Sequence, residues 1–211
     1  PWYPPPWYPP PPSGGCFPAS STVELVTGDK IRMDEVKIGD MIKTRDGYSH
    51  VYMHLHYLKN KKEQYIKINN NLEISANHFI SVNDKYNFIL ANKIKIGDII
   101  FINDKVENVK TIELVNNNGL YAPVTFDGNL IVNDVLVSSY ATLEVEHDII
   151  LPFYGVIAKG NDTIDIGMSP IRLVNRFYSL FNNISYNKIK NNGYHDFVQY
   201  WIKDWKHAKN L

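Results

Sequence analysis

The only cysteine of the chain, Cys16, stands after two glycines and before a phenylalanine in the run SGGCFP. A thiol there can attack the carbonyl of its own peptide bond to Gly15 and turn an amide into a thioester. Amide resonance makes that step uphill, so it needs a distorted peptide bond, a donor to the oxyanion and a proton for the departing amine. Gly15 suits it, because without a side chain it lets sulfur approach and tolerates a strained backbone. Gly15–Cys16 is therefore the candidate cleavage site, with Cys16 as nucleophile once its thiolate is favoured.

The best partners for that thiol lie in LEISANH, where a strand runs into a turn carrying Ser75 and, three residues on, His78. An imidazole there can donate to the scissile nitrogen while the hydroxyl bonds the same peptide group. A lone Ser-x-x-His is also a common structural pairing. His54 and His56 in YMHLHY are one strand period apart, which puts them on one face and makes either a candidate second base. Metal binding is the competing use of these histidines, but no third ligand of suitable spacing accompanies them, and no metal is assigned.

Those residues need a β scaffold to bring them together. From Thr22 to Glu146 short β-branched, alternating runs dominate: STVELV, DMIKT, HVYMHLHYL, QYIKI, LEIS, FISV, NFILA, DIIFI, VKTIELV and GNLIVNDVLVSSYATLE. Asp46-Gly47, Asn118-Gly119 and Asp127-Gly128 supply residues that accept positive φ, as tight hairpin turns require. The block Lys37-Ile38-Gly39-Asp40-Met41-Ile42 recurs as Lys95-Ile96-Gly97-Asp98-Ile99-Ile100, 58 positions on. Two copies do not make a solenoid. They suggest either two related halves of one mainly β domain or convergent turn chemistry.

The ends differ in texture. Residues 1–15 open with PWYPPPWYPPPP, a polyproline II tract that serves either as a stiff linker or as a ligand for an aromatic groove. Residues 16–147 form the β domain. Residues 148–211 form a helical region: SPIRLVNRFYSLF has helical spacing after Pro170, and a second helix places Tyr194, Phe197, Trp201 and Trp205 on one aromatic stripe. Such a stripe is either a core face or a surface for lipid and membrane.

Composition narrows the classes. The 211 residues are 44% hydrophobic with 22 basic and 22 acidic side chains and no net charge, which supplies a sizeable core but no electrostatic footprint for nucleic acid. No apolar run approaches the roughly 20 residues of a membrane span, and the chain opens on Pro rather than a signal peptide, as expected of the downstream part of a longer precursor. One cysteine permits no internal disulfide. The sequons Asn161-Asp162-Thr163 and Asn183-Ile184-Ser185 point weakly to the secretory pathway or the extracellular space.

Taken together, these motifs resemble the Hint domain shared by hedgehog autoprocessing domains and inteins, with the hedgehog branch the nearer match. GCFPASSTVELVTGDKIRMDEVKIGDMI resembles that family's opening block, EISANHFISV its second, with Ser75 for the family's threonine, and NDVLVSSYATLE its closing strand. SPIRL and GYHDFVQYWIKDW resemble segments of a sterol-recognition region. The resemblance implies an all-β fold of two pseudo-twofold halves and a single-turnover self-cleavage. In it, Cys16 takes the Gly15 acyl group of the upstream segment with Ser75 and His78 as activators, and a second nucleophile resolves the thioester. No cofactor is implied, only a sterol or other lipid alcohol as second substrate. The family's activating aspartate is here His56, or His54 if the register slips, which opens hydrolysis by water as the alternative. Ser138-Ser139 replace the His-Asn pair that splicing needs, and Ser139 the hedgehog cysteine. An inactive scaffold acting as an interaction module is the reading from another class.

Overall fold

A computed structural model of the chain describes residues 16–103, 105–141, 149–150 and 157–158. Gly15, the Pro-rich tract and both expected helices, with Tyr194, Phe197, Trp201 and Trp205, lie outside the described residues. What is described is mainly strand, as the alternation predicts. β1 (Thr22–Glu24) pairs with β2 (Lys30–Arg32). β3 (Met41–Thr44), β4 (Gly47–Ile68), β5 (Leu72–Ile74) and β10 (Ile112–Thr125) form a second sheet, with β4 at its centre. A third contains β6 (His78–Ser81), β7 (Phe88–Leu90), β8 (Ile99–Ile102), β9 (Lys105–Asn108), β11 (Asn129–Val132) and β12 (Val135–Ala141). A two-residue ribbon joins β13 (Ile149–Ile150) to β14 (Ile157–Ala158).

The repeated block is a repeated structure. In the first copy Lys37 N–H donates to the Asp40 carboxylate, Gly39 N–H to Val51 O and Val51 N–H to Asp40 O. In the second, Lys95, Gly97, Asp98 and Val109 make the same three bonds, and Gly39 and Gly97 share a left-handed φ of 98° and 94°. The hairpin that follows keeps the offset: Met41 faces His50 and Thr44 faces Gly47, as Ile99 faces Asn108 and Ile102 faces Lys105. Val36 and Ile94, Ile42 and Ile100, and Val51 and Val109 are the matching buried apolar positions. They meet in one core, joined by Phe17, Ile66, Ile80 and Leu130. Burying two copies of one apolar pattern face to face gives each half the core it lacks alone.

The structure corrects several element boundaries. HVYMHLHYL and QYIKI belong to one strand, β4, because the ladder with β10 resumes at Lys62 and Glu63 after a register shift at Lys59–Lys61, although exposed charge interrupts the apolar pattern. VKTIELV is broken at Val109–Thr111, where Asn69 Oδ1 accepts from Lys110 and Thr111 N–H. The run GNLIVNDVLVSSYA folds into the β11–β12 hairpin at Asn133-Asp134, both at positive φ. Asp46-Gly47 and Asp127-Gly128 do sit in tight connections, between β3 and β4 and between β10 and β11. Asn118-Gly119 does not: it lies inside β10, opposite a bulge in β4 at Lys59–Lys61, where the register shifts.

Candidate active site

The segment after Cys16 is laid along β10. Phe17 and Tyr121 exchange backbone hydrogen bonds of 2.8 and 3.0 Å, and Ala19 N–H donates to Asn118 O at 3.0 Å. Gly119, opposite the β4 bulge, permits this approach. A Cβ at Gly119 would stand 2.5 Å from the Tyr121 ring and 3.2 Å from Ala19, and the residue's φ of +90° favours glycine in any case. The Tyr65 hydroxyl donates to Gly119 O and ties this point of β10 to β4.

Ser75 holds the candidate cleavage site from the other side. The Cys16 N–H, on the nitrogen of the bond to Gly15, donates to Ser75 Oγ at 2.7 Å, and Ser75 N–H returns a bond to Cys16 O at 3.1 Å. The turn then closes on itself as His78 N–H donates to Ser75 O at 3.1 Å. This carries the His78 ring to 4.5 Å from the ring of Phe17, the residue next to Cys16. His78 Nε2 lies 2.8 Å from Ser138 O on β12; a carbonyl only accepts, so Nε2 carries the proton and Nδ1 is the basic nitrogen of the neutral ring. Sequence reasoning reached Ser75 and His78 but not this role of Ser138, since a backbone carbonyl leaves no sequence signal.

Cys16 is buried, beside Leu120 and Ala122 with Leu55 and Leu58 packed against them. Burial pushes its thiol well above the ordinary range; Glu63 adds to the rise and Lys61 opposes it. At rest, then, the sulfur is a neutral thiol. That suits an N-to-S shift, because the proton leaving sulfur is the one the departing amine needs.

The histidine pair behaves differently from the expectation that both share a face. Between the pairs Tyr57–Tyr121 and His54–Pro123 the register shifts, with one more residue on β4 than on β10. This bulge reverses the alternation. His54 therefore turns with Tyr57, 5.1 Å from its ring and edge-on, and burial lowers its pKa to about 4. His56 alternates with Tyr57 and takes the face of Leu58, which packs on the Cys16 cluster. Its pKa also falls to about 4, first through burial and then through Lys61, the same lysine that acts on Cys16. Of the two, His56 shares the thiol's surroundings. Among the described residues no three His, Cys, Asp or Glu side chains gather as a metal site requires. Ser139 sits on β12 with its Oγ 3.3 Å from that of Thr125.

Known proteins are similar to this chain in sequence and in fold. Residues 10–205 match the family model of the Hint module. The Tiggy-winkle hedgehog protein of Danio rerio is 29% identical over 153 residues, 63% of this chain and 37% of that protein. Warthog protein 1 of Caenorhabditis elegans is 30% identical over 141 residues, 59% of this chain and 29% of that protein. The chain thus spans about a third of the length of these curated relatives. In fold, it is similar to the crystal structure of the gp41-1 intein, with a TM-score of 0.51 at 18% identity over 60% of this chain and 99% of that one.

Proposed function

The chain belongs to the Hint module family, and on that premise we propose that it cuts its own backbone before Cys16. The observation that carries this reading is the 2.7 Å bond from the scissile nitrogen to Ser75 Oγ, with the His78 ring packed on the neighbouring Phe17. Sulfur attacks the Gly15 carbonyl, the C–N bond breaks, and the thiol proton ends on the Cys16 amine. Ser75 fixes the plane of the nitrogen, and His78 Nδ1 passes the proton. His56 is the base for the second step, in which an alcohol or water attacks the thioester and frees Cys16. A sterol or other lipid alcohol as acceptor suits the apolar Leu55, Leu58, Leu120 and Ala122 around the thiol. The upstream segment is the substrate. The sequons at Asn161 and Asn183 support passage through the secretory pathway.

The 211-residue chain is its own test substrate. Incubated with dithiothreitol, it releases the peptide Pro1–Gly15 by mass spectrometry, while Cys16→Ala stays whole. With cholesterol replacing the thiol, release of that peptide carrying one sterol means transfer, and release as the free acid means hydrolysis. A wild-type chain that stays intact under strong thiol overturns self-cleavage and leaves an interaction module.

A further inference from the structure

Two anchors hold the His78 side chain, and together they leave its ring one freedom. The turn fixes the backbone, where His78 N–H donates to Ser75 O at 3.1 Å, and Nε2 is tied to Ser138 O at 2.8 Å. In an imidazole, Nε2 lies close to the line of the Cβ–Cγ bond, so a hydrogen bond there hardly resists rotation about that bond. Such a rotation swings Nδ1, the nitrogen that must face the scissile amide, and this terminal torsion is broad unless packing narrows it. The packing comes from Phe17, whose fully buried ring stands 4.5 Å from the imidazole at a tilt of 53°. We propose that the Phe17 side chain is a positioning residue for the cleavage reaction, setting the angle of the His78 ring so that Nδ1 meets the Cys16 nitrogen. This deepens the self-cleavage reading and rests on it.

The place of Phe17 in the chain suits it to this task. It is the next residue after the scissile bond, and its own backbone is held at both ends, N–H and C=O bonding Tyr121 at 2.8 and 3.0 Å. Cys16 between them is pinned by Ser75 through its N–H and its carbonyl. One short, tethered stretch therefore carries both the nitrogen to be protonated and the ring that aims its proton donor. None of these partners belongs to the departing segment, so the frame persists when the C–N bond breaks. His78 then faces the same nitrogen as amide and as amine, the alignment a proton transfer needs throughout the step.

Phe17→Leu keeps an apolar side chain and removes the flat ring. Dithiothreitol-driven release of Pro1–Gly15 from it should be about ten- to a hundredfold slower, at a temperature where circular dichroism shows both chains folded. Ile100→Val, a core change in the second repeat, should release at the wild-type rate. Nuclear magnetic resonance of isotope-labelled histidines, in a Cys16→Ala background that keeps the chain whole, reads the ring itself. The His78 Nε2–H signal should persist in Phe17→Leu, since Ser138 O still holds it, while the cross-peaks that fix the ring angle weaken. Undiminished release, equal slowing by Ile100→Val, or loss of the Nε2–H signal would make Phe17 a core residue only, and this inference falls while self-cleavage stands. If strong thiol frees no peptide from the wild type, self-cleavage itself is wrong and the inference goes with it.

Discussion

The two halves of the domain share a turn, a hairpin and a core pattern, yet neither repeated block contributes the thiol. Lys37–Val51 and Lys95–Val109 repeat the same hydrogen bonds residue for residue. The Cys16 segment instead lies at the seam, on β10 and against the Ser75 turn, where the β4–β10 register shifts near Gly119 and again between His54 and Tyr57. Symmetry here builds the frame, and the departures from it build the site. A bulge re-aims side chains and opens the backbone, both of which a nucleophile must have in order to reach its own peptide bond.

The largest way to break this comparison is at the seam's chemistry. His78→Ala should slow thiol-driven release by about 10²- to 10⁴-fold, the range for a lost general acid–base group. Its effect is read as single-turnover rate against a circular-dichroism check of folding. A fall of less than tenfold would return His78 to a structural role held by Ser138 O.

Acid sensitivity should also belong to the seam. His54 is buried and its pKa is about 4 in the folded chain, against about 6.5 unfolded. Between those values the unfolded chain binds the extra proton, so stability is full above pH 6.5, falls as pH drops, and loses nothing more from this group below 4. The loss is at most about 3 kcal/mol. Because His56 carries a similar depression to about 4, His54→Phe should remove only about half of the fall in that part of the urea-denaturation profile, without altering release at pH 7, whereas His56→Ala should block thioester resolution.

The glycines sharpen the comparison. Gly119→Ala meets Tyr121 and Ala19 at once, and should cost about 2 kcal/mol and slow release. Gly39→Ala and Gly97→Ala meet nothing within 4 Å, so each should cost only the backbone strain of about 1 kcal/mol. Because the two turns are equivalent, the two losses should be equal in melting experiments. Unequal losses would mean the halves are not energetically matched.

Which parts were legible follows the same line. Local chemistry could be read: the Gly-Cys-Phe junction, the Ser-x-x-His turn and the duplicated Lys-Ile-Gly-Asp block all depend on neighbours in the chain. Long-range register could not. The bulge that separates His54 from His56 is set by how many residues of β10 oppose β4, which no alternation within YMHLHY records. Asn118-Gly119 looks like a hairpin turn by composition, but its neighbours continue the ladder, so the positive φ serves a close approach instead.

The claim beneath all of this is that the acyl group of Gly15 passes through the sulfur of Cys16. Hydroxylamine attacks thioesters far faster than amides, so intact-mass analysis of the chain after hydroxylamine treatment at neutral pH tests it most directly. The account predicts Pro1–Gly15 released as its hydroxamate from the wild-type chain, and none from Cys16→Ala. Equal release from both, or no hydroxamate from the wild type under conditions where Pro1–Gly15 is nevertheless freed, would contradict it.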